Sequence, residues 1–255
     1  MKEVHLDLYE REQDYWWAVI HRKAAISIWK YFSKADTARR TLDVGCGAGA
    51  FLSILQKHVK ACGIDSSLKA CEFAKNKGNN IIQADIIKLP FRQGCFDAVF
   101  ALDIIEHIDD AAGVFKQLYR ICSPGGLCIV TVPAWDCLWS ERDVYLGHKR
   151  RYTIKRLRVA FRAAGFECIS ASYMYALLFP ALYARNKIRK FLRYSKIKSD
   201  VFAVPGFLNR FLINLFSLEL KLLPLGLLPF GTSIICVAKK NVHEKIFFMG
   251  AEVSE

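Results

Sequence analysis

The chain has 255 residues, of which 53% are hydrophobic and 24% charged, and its formal net charge is +13. That length suits one mid-sized domain with an insertion. Such a chain buries roughly 70–75% of its unfolded surface and needs no covalent staples. The composition excludes a disordered chain, a collagen and a coiled coil. Nine cysteines, an odd count with no C-x-x-C pair, fit reduced thiols in a cytosolic protein better than a disulfide framework or a zinc site. Met1-Lys2-Glu3-Val4-His5 opens polar with no apolar run behind it, which is not the pattern of a secretory signal.

Residues 1–39 carry an aromatic-rich helical pattern, with Tyr15-Trp16-Trp17 ahead of Ile20, Ala24, Ile28 and Tyr31 on one face. Residues 40–135 alternate short apolar runs with helical patterns. The runs are Thr41–Val44, Ala61–Ile64, Asn80–Ala84, Phe96–Ala101 and Leu127–Val132, the signature of βαβ units on a parallel sheet. A helix over Leu157–Phe161 closes at Gly165, and a strand follows at Phe166–Ser172. Residues 173–230 break this rhythm. They are apolar and basic and contain Pro180, Pro205, Pro224 and Pro229. Gly231–Lys240 reads as a β-branched final strand, and residues 241–255 as a loosely held tail.

The charge is concentrated. Between Lys149 and Lys198 there are 14 lysines and arginines against one acid, Glu167, so the rest of the chain sums to zero. Such a window attracts anions, whether phosphate, nucleic acid or acidic lipid head groups, unless it is simply a solvated face.

The strongest local signal is Leu42-Asp43-Val44-Gly45-Cys46-Gly47-Ala48-Gly49, which follows a predicted strand and leads into a helix over Phe51–His58. Glycines at 45, 47 and 49 allow a sharp turn and close approach of a ligand to the backbone. The helix start behind them offers N–H groups to a carboxylate or phosphate. The spacing is G-x-G-x-G, not the G-x-G-x-x-G of dinucleotide binders. Asp43, Asp65, Asp85 and Asp103 lie on or just after four successive strands, where open α/β sheets bind ligands. Each alone is equally a helix cap or turn residue.

The set DVGCGAG, GIDSS, QADIIKLPF, FDAVFALDIIEHI and SPGGLCIVTVP resembles, in order and spacing, the motif series of class I S-adenosylmethionine-dependent methyltransferases over residues 40–172 and 231–240. The resemblance implies an α/β, Rossmann-like sheet of seven strands in the order 3-2-1-4-5-7-6, the last strand antiparallel. Residues 1–39 become an N-terminal helical lid, 40–172 with 231–240 the core, and 173–230 a helical insertion where the family has a short hairpin. It implies S-adenosylmethionine as cofactor. Asp43, Gly45, Cys46, Gly47 and Gly49 would surround its methionine part. Asp65 would hold the ribose, with Ser66 beside the adenine. Asp85 would take the adenine amino group, Ile86 would pack on the ring, and Leu102 and Asp103 would line the sulfonium end. Cys46 also fits as a small filler in a tight turn. In the lid, Tyr15, Trp16 and Trp17 would shield the cofactor and Arg22 would meet its carboxylate, with core packing the alternative for the tryptophans.

Methyl transfer is an in-line displacement at an activated methyl, so the protein chiefly aligns donor and acceptor; a hydroxyl acceptor also needs a base. His107 and His148 are the candidate bases. Asp103, Glu106 and His107 also resemble an acid-x-x-Glu-His cluster that accompanies a divalent metal in ubiquinone-type O-methyltransferases; a helix start with dipole-complementing acids is the preferred reading, and no metal is expected. GHKRRYT and the Trp135–Trp139 region resemble, loosely, bacterial methyltransferases of cell-envelope acceptors. On that basis Trp139, Arg150, Arg151 and Tyr152 are candidate acceptor contacts, the arginines toward a phosphate.

Two amphipathic stretches stand out in the insertion. Arg185–Lys198 reads as a basic helix with Ala184, Ile188, Phe191, Leu192 and Ser195 on one side. Phe207–Leu223 sets Arg210, Asn214, Ser217 and Lys221 on one narrow stripe and must bury its Phe, Leu and Ile residues. No apolar run reaches the ~20 residues of a membrane span. The two readings are a cap on the core and an element lying in an anionic membrane surface. The functional expectation is a cytoplasmic, peripheral-membrane enzyme methylating O or N of a hydrophobic or lipid-linked small molecule. An RNA methyltransferase using the basic window is the first alternative, disfavoured by the lack of an Asn/Asp-Pro-Pro-aromatic motif and of a Pro-Cys dipeptide. A non-catalytic cofactor-binding subunit is the second.

Overall fold

Seven strands share one sheet in the order β3-β2-β1-β4-β5-β7-β6 in a computed structural model that describes residues 14–33, 40–191 and 204–242. In chain order the elements are α1 (Trp16–Phe32), β1 (Arg40–Val44), α2 (Ala50–Leu55), β2 (Lys60–Asp65), α3 (Leu68–Asn76), β3 (Ile81–Gln83), β4 (Phe96–Leu102), α4 (Ala111–Ile121), β5 (Cys122–Pro133), α5 (Glu141–Leu146), α6 (Ile154–Ala163), β6 (Phe166–Met174), α7 (Phe179–Phe191), α8 (Gly206–Glu219) and β7 (Ser233–Lys240). Strands β1 to β5 pair in parallel, and β7 runs antiparallel to both β5 and β6. The expected order and the antiparallel last strand are what the structure has.

The central strands are apolar along their length because helices cover both faces of the sheet. On one face α4 sets Ala111, Val114, Phe115, Leu118 and Ile121 at helical spacing, and α6 adds Leu157 and Phe161. Both helices start on a side-chain cap, Asp110 accepting from the Gly113 N–H at 2.8 Å and Thr153 from the Arg156 N–H at 3.3 Å. The other face is covered by Ile20, Ala24 and Ile28 of α1, by Phe51 and Leu52 of α2, and by Phe216 of α8.

The insertion differs from its sequence reading in three ways. First, Pro180, one of the prolines that break the sequence rhythm, lies inside a helix. It stands in the first turn of α7, where a missing N–H forfeits no helical bond. The helix therefore begins earlier than Arg185, and residues 192–203, with the end of the expected basic helix, lie outside the described residues. Second, the long apolar helix is shorter than expected, ending at Glu219 before a tight turn over Leu223–Leu225. Third, its wide apolar surface is not all buried. Phe216 is buried, whereas Phe207, Phe211 and Leu218 face outward.

The inner face of α8 grips the N-terminal end of α1. Phe216 stacks on Trp16 at 5.3 Å between ring centroids and meets Tyr175 edge-on at 5.4 Å. Asn209 accepts from the Trp16 N–H at 2.7 Å and donates to the Asp14 carbonyl at 2.9 Å, capping a helix nearly two hundred residues away in sequence. Glu219 accepts from the N–H groups of Tyr175 and Ala176 at 2.8 and 3.3 Å. Trp16 thus packs as core. Phe216→Ala should lower unfolding free energy by about 3–5 kcal/mol. Denaturant titration followed by tryptophan fluorescence measures this, and a loss below ~1 kcal/mol would show that α8 does not hold α1.

Candidate functional site

The glycine loop turns at the carboxyl end of β1 with all three expected glycines at positive φ: Gly45 at 71°, Gly47 at 53° and Gly49 at 79°. Gly45 needs its hydrogen for a second reason. A Cβ there would sit 2.7 Å from the Ile104 side chain, so the loop after β4 could not close on the loop after β1. Asp65 holds the loop: its carboxylate accepts from the Gly47 N–H at 2.9 Å and from the Ser67 N–H at 2.8 Å. Ser66 beside it is exposed. Cys46 packs under the turn, where burial raises its thiol far above its ordinary value, the condition of a filler rather than a nucleophile.

Asp43 is buried beneath this loop, and its Oδ2 has no hydrogen-bond partner among the described residues. Burial, reinforced by the nearby charge of Asp65, pushes its carboxyl up to about 8. A fully buried carboxyl with a vacant oxygen suits a cationic group of a ligand. Asp85 is exposed and caps the turn Ile86–Lys88 through the Ile87 N–H at 3.0 Å, while Ile86 is buried in the core. Leu102 is half-buried at the end of β4.

Asp103 carries a positive φ of 50°, a strained conformation for a residue with a side chain. It is clamped from two sides. Its N–H and Oδ1 both meet Thr131 Oγ1 of β5, at 3.1 and 3.2 Å, and its Oδ2 lies 2.9 Å from Nε2 of His21 on α1. The His21 contact is close but poorly aligned as a hydrogen bond. Burial would raise the Asp103 carboxyl, but His21, Thr131 and His148 outweigh it and hold it below its ordinary value. The other ring nitrogen of His21 meets the Tyr175 hydroxyl at 3.1 Å, and that hydroxyl donates to the Trp17 carbonyl at 3.0 Å. His21 was not among the residues singled out from the sequence. An imidazole on a mostly apolar helix face gives no sign of a partner eighty residues on.

A second charged centre lies beyond β5. Asp143 is fully buried and accepts five hydrogen bonds: from the Ser140 N–H at 2.8 Å, the Ser140 hydroxyl at 3.2 Å, His148 Nδ1 at 2.9 Å, Arg151 Nε at 2.8 Å and Arg151 Nη2 at 3.1 Å. Burial alone would raise its carboxyl; the bonds from His148 and Arg151, with the charge of Arg151, bring it to about 2. The backbone makes this possible. Ser140-x-x-Asp143 forms a capping box on α5, and Gly147 at φ 77° reverses the chain so that His148 and Arg151 return to the helix. The expectation that Arg151 binds an acceptor phosphate is therefore corrected: its fork is spent on Asp143, and Nη1 on the Ala134 carbonyl at 2.8 Å. Arg150 donates to the Asp109 carbonyl at 2.9 Å. Tyr152 is buried and pairs with the chain after β5, and Trp139 is half-buried. Asp143 is the residue that sequence reading missed, although the S-x-x-D pattern before Gly147 marks a capped helix.

His107 and His148 meet ring-edge to ring-face with centroids 4.8 Å apart. Burial and the neighbouring His148 lower the basicity of His107. Glu106 is fully buried beside them, both its oxygens without a partner among the described residues. Burial, then Asp103, raises it well above the carboxylate range. Donor atoms of Glu106, His107 and His148 lie within 4.8 Å of one another. The grouping of Asp103 with Glu106 and His107 is not what the structure assembles, since Asp103 turns to His21.

An aromatic wall begins at Trp135, one residue after the Ala134 carbonyl that Arg151 holds. Trp135 stacks on Tyr173 at 4.9 Å, Phe179 meets Trp135 at 6.2 Å and Phe230 at 5.6 Å, and Tyr183 stacks on Phe179 at 5.9 Å. Every ring but Trp135 comes from residues 173–230. An open cleft of about 840 Å³, lined by Arg40, Lys60, Arg92 and Phe96, lies instead at the amino ends of the strands, away from all of these groups.

The model of a methyltransferase domain matches residues 16–171, more than half of the chain. A malonyl-[acyl-carrier protein] O-methyltransferase of Legionella pneumophila is 31% identical over 55% of this chain and 53% of its own length. A probable tRNA methyltransferase 9B of Mus musculus is 25% identical over 66% of this chain and 38% of its own. The chain thus spans about half or less of these relatives. Among solved structures, an S-adenosylmethionine-dependent methyltransferase from Archaeoglobus fulgidus superposes with a TM-score of 0.55 at 19% identity, covering 86% of this chain and 94% of that one.

The state of Asp43 sets a pH dependence. An acid that keeps its proton up to about 8 in the folded chain, but only to ~3.9 when unfolded, makes the folded state bind more protons between those values. Without ligand, stability should therefore fall as pH rises from ~4 to 8. Asp43→Asn should flatten that slope in melting curves while weakening S-adenosylhomocysteine binding at least tenfold, about 1.4 kcal/mol. An unchanged slope would show that Asp43 ionises freely.

Proposed function

Because the chain belongs to the S-adenosylmethionine-dependent methyltransferases, we propose that it methylates a hydroxyl or amine of a hydrophobic or lipid-linked small molecule. The observation that carries this reading is the link from the Asp143–His148 pair through Arg151 to the Ala134 carbonyl, one residue before Trp135 of an aromatic wall built largely by the insertion.

The vacant oxygen of buried Asp43 beneath three positive-φ glycines fits the cofactor's ammonium end. Asp43, Gly45, Cys46, Gly47 and Gly49 would hold the methionine part, Asp65 and Ser66 the ribose and adenine edge, Asp85 and Ile86 the adenine, and Leu102 and Asp103 the sulfonium end. The cofactor supplies a methyl group activated on sulfur. The chain's own work is alignment, exclusion of water and handling of a proton.

For a hydroxyl acceptor, that proton goes to His148. Asp143 holds Nδ1 of the ring, which leaves Nε2 to take the proton as the acceptor oxygen gains its methyl. Arg151 keeps Asp143 ionised, so it is a positioning residue. His107, less basic through burial, stands beside His148 as its neighbour rather than as a second base. Trp135, Tyr173 and Phe179 would pack on the apolar part of the acceptor, with Trp139, Arg150 and Tyr152 around its polar end.

The test is to incubate the purified chain with methyl-labelled S-adenosylmethionine and host lysate, then separate organic-extractable, RNA and protein fractions. Label in the organic fraction supports the proposal. Label in RNA overturns it and gives the basic 149–198 window to phosphate binding. No label anywhere favours a non-catalytic binding subunit. His148→Gln should lower kcat by about 100-fold or more while leaving S-adenosylhomocysteine affinity unchanged. Loss of that affinity instead would place His148 in cofactor binding.

A further inference from the structure

The outer face of α8 is chemically two-toned. Phe207, Phe211 and Leu218 fall at positions i, i+4 and i+11 on one stripe and are 78%, 57% and 64% exposed. Arg210, Asn214 and Lys221 lie among them, and Leu222, Leu225, Leu227 and Phe230 continue the exposed apolar run toward β7. More than half of the large exposed hydrophobic side chains of the described residues come from residues 177–230. Scattered exposed apolar residues are ordinary, but this concentration on one segment is not.

The charges select the partner. Among the described residues of 176–232 there is one acid, Glu219, and it points inward to cap Tyr175 and Ala176. The cations Arg210 and Lys221 stay on the outer face, and Arg185, Lys187 and Arg189 follow on α7. An apolar stripe whose charged neighbours on this described segment are cations matches the interface of a bilayer with acidic head groups, where the rings would enter the acyl boundary and the cations would meet phosphate. A second copy of this chain would bring the same cations face to face. Fourteen residues of helix span about 21 Å, short of the ~30 Å hydrocarbon core, and no described helix is long and apolar enough to cross a membrane. A helix of this length would lie in such a surface rather than span it.

We propose that α8 and the following 222–230 segment form a docking face for an anionic lipid bilayer, joined at Phe230 to the aromatic wall of the acceptor site. The proposal deepens the reading of a hydrophobic or lipid-linked acceptor and rests on it. Phe230 touches Phe179, which touches Trp135, so a lipid acceptor leaving the bilayer at this edge meets an unbroken row of rings. The inner face of the same helix is anchored by Asn209, Phe216 and Glu219, so the outer stripe can stay exposed without loosening the fold.

The test uses the full chain and does not depend on turnover. Its probe is vesicles of phosphatidylcholine with or without 30–40% phosphatidylglycerol (roughly a bacterial-type surface charge), read by co-sedimentation. The chain should sediment with the anionic vesicles, and binding should fall severalfold between low and high salt. Phe207→Asp with Phe211→Asp should reduce binding at least tenfold at unchanged melting temperature and S-adenosylhomocysteine affinity. Arg210→Gln with Lys221→Gln should remove part of the salt-dependent binding. The proposal is overturned if the chain ignores anionic vesicles at low salt, or if the double aspartate variant binds as the parent does. It is also overturned if light scattering shows a dimer that this variant abolishes, since a second copy would then own the face. Vesicle binding without label in the organic fraction would leave docking standing and overturn the lipid acceptor, so the two failures are distinct.

Discussion

Parallel pairing of β1 with β4, Val44 opposite Ala101, is the constraint on which the site depends. From β1 the chain crosses toward β2, and from β4 toward β5, so the loops leaving these neighbours diverge and open a crevice between them. The crevice is narrow because Gly45 has no side chain and Ile104 fills the space a Cβ would need. One loop brings Asp43 and its glycines, the other brings Asp103, Glu106 and His107. Asp103 would not hold its left-handed backbone alone. Thr131 on β5 and His21 on α1 fix it, so the register of β4 with β5 and the seat of one helix converge on one carboxylate.

Three buried carboxyl groups, Asp43, Glu106 and Asp143, and the half-buried Asp103 divide into two pairs with opposite fates. Asp103 and Asp143 have cationic or potentially cationic partners and are held below the usual range. Asp43 and Glu106 have vacant oxygens and are held above it. A fold selected for stability alone would pair or remove all four, because an unpartnered buried carboxyl is costly. The unpaired two flank the crevice from either side, one below the glycine loop and one beside the histidines. Environments that drive like groups apart in this way mark where a ligand's charge and a moving proton are to be accommodated.

The core architecture was legible in the sequence because each of its signals is local. Glycines at 45, 47 and 49 announce a turn, and the apolar runs at Phe96–Ala101 and Leu127–Val132 announce buried strands. Asp85 was legible as an acid at a strand end, and its structural partner is the turn it caps. What could not be read were partners chosen by the tertiary fold. Arg151 looked outward-facing in a basic run, yet it turns to Asp143, because the reversal at Gly147 is decided by one backbone angle. His21 finds Asp103 only once α1 has been seated by α8, and the residues that seat it, Asn209 and Phe216, are far off in the chain.

The insertion shows why helical periodicity identifies a helix more readily than its orientation. Phe207–Leu223 is apolar nearly all round, so the polar stripe at 210, 214 and 221 correctly marks the outer side, but nothing in the pattern says how many of its apolar neighbours stay outside with it. That number is set by the partner surface. The N-terminal turn of α1 engages Asn209 and Phe216, and the chain after β6 engages Glu219. Once those contacts are made, the inner side of α8 is fully used, and Phe207, Phe211 and Leu218 are left in water. A helix that simply capped the core would be amphipathic with one dry side. This one has a packed side that fixes α1 and a side on which Phe207, Phe211 and Leu218 stay mostly exposed. An apolar side left open in this way is what the proposed docking on an anionic bilayer would cover.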